Sequence, residues 1–112
     1  MRRGSLVAVS LPGAYGKPRP ALVIQSDLLA ELDSIIVCPI TSKIRQADFR
    51  ITVEPNDTNR LLTQSQIMVD KISTLPKMRV GSVFEQLDTP TIKAVERALL
   101  TVTGIALIRH LH

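Results

Sequence analysis

Short apolar runs separated by turn residues cover the first three quarters of the chain. The first two runs are residues 5–11 and 21–24, and a third covers residues 34–40. Residues 49–54 alternate apolar and polar side chains, which is the period of a strand with one exposed face. Further extended segments follow at 66–75 and 80–84. This pattern predicts five or six short strands, with a helical turn at 28–32 and a loop at 41–48.

The hydrophobic period changes near the end of the chain. Asp88 is a good N-cap, Pro90 suits a first helical turn, and Gly104 is a typical stop. Between them, apolar side chains recur at spacings of three and four, at Ile92, Val95, Leu99 and Val102. An amphipathic helix is therefore predicted after the strands. Together these elements favour a mainly β, barrel-like domain in which the helix seals one opening.

The composition is that of one small domain. The 112 residues, 45% of them hydrophobic, suffice for a single core, so residues 1–112 are predicted to form one domain. No apolar run is long enough for a membrane span or a signal peptide, and we therefore expect a cytoplasmic protein. The single cysteine, Cys38, lies inside an apolar run, which predicts a buried thiol more than a reactive one. The net charge of +4 permits an anionic partner but is weak support for one.

The strongest candidate for chemistry is the tripeptide Pro18-Arg19-Pro20. Each proline fixes its own φ and keeps the preceding residue extended, so Arg19 is held on a stiff backbone. A planar, always charged guanidinium in a fixed position suits recognition of a phosphate. About twenty residues later, the third apolar run ends in Pro39-Ile40-Thr41-Ser42, which brings a hydroxyl to the end of a strand.

With these segments the chain resembles the MazF/PemK (Kid) family of toxin endoribonucleases from bacterial toxin–antitoxin modules. The resemblance runs along nearly the whole sequence, and the order and spacing of its pieces are more specific than any single piece. The pieces are Arg3-Gly4 before the first strand, then residues 19–24, 37–42 and 65–71, and Gly81 ahead of the terminal helix.

The resemblance implies an SH3-like β-barrel of the CcdB/MazF type and a homodimer. It also implies a partner antitoxin whose acidic segment occupies the RNA groove. The family cleaves single-stranded RNA without metal or cofactor, by attack of the ribose 2′-hydroxyl on the adjacent phosphate to leave a cyclic phosphate and a 5′-hydroxyl. The catalytic roles would fall on Arg19 and Thr41. We see no metal-ligand spacing in the sequence, and the histidines, His110 and His112, are both in its last three residues.

Other residues match less specific positions. Asp70 could orient Arg19 or contact a base, or it could simply be a strand-end aspartate with a local hydrogen bond. Further candidates for catalysis or for RNA phosphates, each also readable as an ordinary surface side chain, are Arg3, Lys17, Ser42, Lys43 and Arg45. The segment from Pro12 to Lys17 lacks the carboxylate found in many family members, so an acid or base from that loop is doubtful.

Two other functions remain open at the level of the sequence. A gyrase-inhibiting toxin of the CcdB type would share the fold but relies on a terminal Trp-Gly-Ile, and this chain has no Trp. A non-catalytic SH3-like binding module would need aromatic side chains to build its groove, and aromatic residues make up only 3% of the chain. Both are less favoured than an endoribonuclease.

Overall fold

The computed structural model describes residues 1–10 and 17–105. Within them the chain forms seven strands followed by one α-helix. The strands are β1 (Ser5–Ser10), β2 (Pro18–Val23), β3 (Ser34–Thr41), β4 (Arg50–Val53), β5 (Ser65–Met68), β6 (Ser73–Pro76) and β7 (Val80–Gln86), and the helix is α1 (Thr89–Thr103). Single 3-10 turns lie at Asp27–Leu29, Val69–Lys71 and Lys77–Arg79. The predicted loop tip before β2 and the two histidines fall outside the described residues.

All strand pairs that the structure describes are antiparallel, in the order β4-β5-β3-β2-β1-β7. The central strand β3 has two partners on one edge: its end pairs with β5 and its beginning with β6. The prediction of one extended segment at 66–75 was therefore wrong, because the 3-10 turn at Val69–Lys71 divides it. That turn carries the chain from one end of β3 to the other.

The fold is mainly β with one terminal helix, as predicted. The sheet curves so that its two edges approach each other, because the Thr58 hydroxyl, in the loop after β4, donates to Glu85 of β7. Among the described residues, no pairing joins the two edge strands β4 and β7, so the sheet is not closed into a barrel. Curvature is aided by two register irregularities where β1 meets β7.

Both faces of the central strands are buried. Alternate residues such as Leu6, Leu22 and Cys38 face α1 and belong to one apolar cluster. Their neighbours Val7 and Val37 belong to a second cluster on the opposite face. Double-sided burial explains why these strands read as continuous apolar runs. It also confirms that Cys38 is a buried thiol, fully inaccessible to solvent.

Helix α1 begins and ends where the sequence indicated. The Asp88 carboxylate accepts the backbone N–H of Thr91 at 3.2 Å, and Gly104 ends the helix in the left-handed conformation at φ 83°. The helix packs on β4 and on the turn at Val69–Lys71, with Val95 and Ala98 buried. No helix in the described part of the chain is long and apolar enough to cross a membrane.

Candidate active site

A groove of about 580 Å³ opens where β2 and β3 end. Strand β2 supplies Arg19 and Pro20, and the end of β3 with the following loop supplies residues 39–43. The groove is also lined by the loop at 60–63 and by Ser65 and Met68 of β5. We call this the Arg19 groove. Three of its lining residues are basic and none is acidic, so it favours a negatively charged ligand.

The register of the sheet brings Arg19 and Thr41 to the same face. The pairing of β2 with β3 ends at Ala21 and Pro39. Arg19 precedes Ala21 by two residues and Thr41 follows Pro39 by two, so the period of a strand puts both side chains on the same face, and both line the groove. The structure thus brings together the two residues that the sequence singled out.

Arg19 is more firmly held than the sequence indicated. The strand begins at Pro18, so the whole Pro18-Arg19-Pro20 tripeptide is part of β2, where Arg19 pairs with Val9 of β1. Its side chain is exposed, and no carboxylate of the described residues lies within salt-bridge distance of it. A rigid backbone thus presents a guanidinium whose donors are available to a phosphate.

The Thr41 hydroxyl has a defined orientation. Its Oγ1 accepts the backbone N–H of Lys43 at 3.1 Å, which is a short local turn made by a strand-end threonine. Because one lone pair of the oxygen is used in this way, the hydroxyl proton is left to donate elsewhere. Ser42 and Lys43 are exposed beside it and line the same groove.

Gln66 holds the loop that follows Thr41. Its side chain is buried in β5, and the residue pairs directly with Thr41. The Gln66 amide accepts the backbone N–H of Arg45 at 2.9 Å and donates to the carbonyl of Arg45 at 2.9 Å. This fixes the backbone of Arg45, whose side chain is exposed but does not line the groove. The sequence signal for this role is a glutamine inside a predicted strand, Gln66.

Asp70 orients a different arginine from the one considered in the sequence analysis. Its two carboxylate oxygens accept hydrogen bonds from Arg50 Nε at 2.8 Å and Arg50 Nη2 at 3.2 Å. The hydrogen bond from Arg50 holds the pKa of Asp70 below its ordinary value, although partial burial opposes this shift. Neither residue lines the Arg19 groove. Asp70 therefore connects β4 to the 3-10 turn and does not contact Arg19.

Two more candidates lie away from the groove. The Arg3 guanidinium contacts Glu96 of α1 at 2.9 Å, and its backbone N–H donates to Asp27 Oδ1 at 2.8 Å. Arg3 thus ties the beginning of the chain to the helix. Lys17 is exposed just before β2 and is not among the residues that line the groove.

The loop at 60–63 contributes residues that the sequence analysis missed. Arg60 and Leu62 line the groove, and Leu62 is fully exposed. The loop is fixed by Asn59, which is fully buried and whose amide donates to the Glu54 carbonyl at 2.9 Å and accepts the Leu61 N–H at 3.0 Å.

Comparison with known proteins gives a family and several relatives. Residues 2–103 match the family described as PemK-like, MazF-like toxin of type II toxin–antitoxin system. The chain belongs to this family. Among curated relatives, the probable endoribonuclease MazF of Mycolicibacterium smegmatis is 38% identical over 95% of this chain and 99% of its own. The endoribonuclease MazF of Staphylococcus saprophyticus is 30% identical over 97% of this chain and 96% of its own.

Solved structures share the fold of this family member. An endoribonuclease in complex with its cognate antitoxin from Mycobacterial species superposes with a TM-score of 0.79 over 94% of this chain and 96% of that chain, at 21% identity. The Mycobacterium tuberculosis toxin MazF-mt6 gives a TM-score of 0.78 over 89% and 96%, also at 21% identity. At this identity the likeness concerns the fold alone.

Proposed function

We propose that this chain is the toxin of a toxin–antitoxin module and an endoribonuclease that cleaves single-stranded RNA. The observation that carries the proposal is the meeting of Arg19 and Thr41 in one groove lined by basic and not by acidic side chains. Support also comes from the family and from two relatives named endoribonuclease MazF.

The proposed reaction is an internal transesterification. The ribose 2′-oxygen attacks the adjacent phosphorus and loses its proton, the bond from phosphorus to the 5′-oxygen breaks, and the 5′-oxygen gains a proton. The products are a 2′,3′-cyclic phosphate and a 5′-hydroxyl. Arg19 stabilises the extra negative charge on the phosphate in the transition state, and the Thr41 hydroxyl donates to a non-bridging oxygen.

The groove suits an unpaired strand. In an A-form helix the 2′-hydroxyl is held away from in-line attack, whereas a single strand can place it opposite the leaving oxygen. The apolar lining residues, including Leu62 and Met68, offer surfaces for unstacked bases beside the basic side chains. As in the family it resembles, the reaction is expected to proceed without metal.

We further propose that the working form is a cytoplasmic homodimer with a groove shared across its two-fold axis. The edge strand β7 is largely exposed, with Val83 half-exposed, and pairing would cover such a surface. We take the curved sheet of each chain to be the counterpart of the SH3-like barrel of the family. In the inactive toxin, the groove would hold an acidic segment of a cognate antitoxin, because that segment would compete with RNA for the same arginine and lysine side chains.

The test is cleavage of a long synthetic single-stranded RNA by the purified protein in EDTA, with the product ends mapped. We expect cleavage in EDTA and products with 5′-hydroxyl ends. Arg19→Ala and Thr41→Ala should reduce kcat by ~100-fold to ~1,000-fold, the cost of a lost transition-state donor. The matched control is Arg97→Gln, which removes one positive charge from α1, away from the groove.

Four results would overturn parts of this proposal. Cleavage that disappears in EDTA and returns with magnesium would contradict the metal-independent mechanism. Near-normal activity of Arg19→Ala would contradict the site. Inhibition of gyrase without any RNA cleavage would favour the CcdB-type alternative, and light scattering that reports the mass of one chain would exclude a stable dimer.

A further inference from the structure

Arg60 stands out among the residues of the Arg19 groove because of its backbone. Its φ is 59°, in the left-handed region, and it is the one described residue other than glycine with a positive φ. Such a conformation favours glycine and disfavours a side chain with a Cβ. A long cationic side chain nevertheless occupies this position.

Two contacts determine where the Arg60 side chain lies. The preceding residue, Asn59, is fully buried and bonded within the loop, which sets the direction of the chain at Arg60. The Arg60 guanidinium carbon then lies 4.9 Å from the centroid of the Phe84 ring of β7. Stacking on an aromatic face uses the flat side of the guanidinium and leaves the N–H donors at its edge available.

The surroundings of Arg60 favour an anion. No carboxylate of the described residues lies within salt-bridge distance of it. It lines the same groove as Arg19 and Thr41, with Lys43 as the third basic residue. An extended polyanion with one phosphate at Arg19 would bring its neighbouring phosphates to the other basic residues of this groove.

We propose that Arg60 is a positioning residue that binds an RNA phosphate next to the one that is cleaved. This proposal rests on the proposed function of the groove and adds a second, separate phosphate contact to it. Because the contact is made equally in the ground state and the transition state, losing it should raise KM and leave kcat nearly unchanged.

The experiment compares Arg60→Gly, Arg60→Asn and Arg60→Lys with the wild type. Glycine and asparagine both accept the left-handed backbone, so these variants should fold, and thermal unfolding checks that they do. Steady-state cleavage of a synthetic RNA gives kcat and KM. Binding is measured with a fluorescent single-stranded oligodeoxynucleotide of mixed base sequence, which lacks the 2′-hydroxyl and is not cut.

For Arg60→Gly and Arg60→Asn we expect KM and Kd to rise about tenfold, the loss expected for one charge-assisted hydrogen bond. The slope of log Kd against log salt should fall by about 0.7, which corresponds to one phosphate contact on a single strand. Arg60→Lys should keep the salt slope of the wild type, because it keeps the positive charge. Arg97→Gln is the control for the loss of one positive charge elsewhere.

The outcomes separate this inference from the function on which it rests. If wild type cleaves RNA and the Arg60→Gly and Arg97→Gln variants have the same KM and salt slope, the role of Arg60 is refuted and the proposed function stands. If wild type binds the oligonucleotide in an Arg60-dependent way but does not cleave RNA, the proposed function fails and the phosphate contact stands. If wild type neither cleaves nor binds, both are refuted.

Discussion

Replacing the Asp70 carboxylate with an amide, in Asp70→Asn, is expected to destabilise the fold without stopping the chemistry. In the native protein this carboxylate makes two hydrogen bonds to Arg50, whose side chain is only 6% exposed. Without the carboxylate, a nearly buried guanidinium would be left with no counterion. Lys71 also lies 3.8 Å from the Asp70 carboxylate, but its side chain is 62% exposed, so water would still solvate it after the substitution.

The magnitude follows from the burial of the two partners. Breaking a fully buried ion pair costs about 3–5 kcal/mol, whereas an exposed pair contributes about 0–1 kcal/mol. Because the Asp70 side chain is 22% exposed, we place the loss at about 2–3 kcal/mol. For a chain of this size that corresponds to a fall in melting temperature of about 8–12 °C.

The loss should depend on pH in a defined direction. The pKa of Asp70 is lowered in the folded protein, chiefly by the hydrogen bond from Arg50. A lowered pKa means that the pair stabilises the fold above the unfolded-state pKa of about 4. That stabilisation is lost as the pH falls through the folded-state value, so the difference between wild type and Asp70→Asn should shrink below about pH 4.

The assay is thermal unfolding at fixed protein concentration, for Asp70→Asn, Arg50→Met, the double variant and the control Lys71→Ala. A fixed concentration matters because association shifts apparent stability. The double-mutant cycle should give a coupling of about 2 kcal/mol, and Lys71→Ala should change stability by less than about 0.5 kcal/mol. RNA cleavage below the melting transition should keep a kcat close to that of the wild type. A loss of activity of ~100-fold with an unchanged melting temperature would refute this reading and assign Asp70 to the chemistry.

Three further predictions concern other parts of the fold. Asn59→Ala should lower the free energy of unfolding by about 2–3 kcal/mol in denaturant titrations, because the Glu54 carbonyl and the Leu61 N–H lose their partner. An unchanged denaturation midpoint would contradict this. Burial, with a smaller contribution from Asp70, raises the pKa of Cys38 to about 12, so a thiol reagent at pH 8 should label the unfolded but not the native protein. Asp88→Ala should lower the free energy of unfolding by about 1 kcal/mol at pH 7, because it removes the N-cap of α1. The hydrogen bond from the Thr91 hydroxyl lowers the pKa of Asp88, so the loss should be much smaller below about pH 4. An equal loss at both pH values would show that the ionised cap is not the cause.

The elements set by local pattern could be predicted from the sequence. The bounds of α1 follow from Asp88, Pro90 and Gly104, and the runs around residues 5–11 and 34–40 became β1 and β3. Arg19 and Thr41 could be selected from the stiff Pro18-Arg19-Pro20 segment, the hydroxyl at the end of a strand and the resemblance to the family, but their presence in one groove could not.

Contacts between residues far apart in the chain could not be predicted in this way. Arg50 meets Asp70 because Arg50 pairs with Met68 and the turn at Val69–Lys71 follows at once. Arg60 meets Phe84 because the loop after β4 lies against β7 at the other edge of the sheet. Neither contact leaves a periodic signal in the sequence. The left-handed conformation of Arg60 could not be predicted either, because arginine is not a residue that indicates a positive φ.

The hydrogen bonds of Asn59 also bear on how a substitution in one part of the groove affects the rest of it. Its backbone and side-chain partners, Asn56, Glu54 and Leu61, all lie within residues 54–61. The loop therefore carries its own scaffold, while Arg19 and Thr41 are anchored separately by the paired strands. A substitution in the loop at 54–61 is therefore expected to leave the strand pairing that holds Arg19 and Thr41 intact. Two parts of one groove thus rest on structurally independent supports.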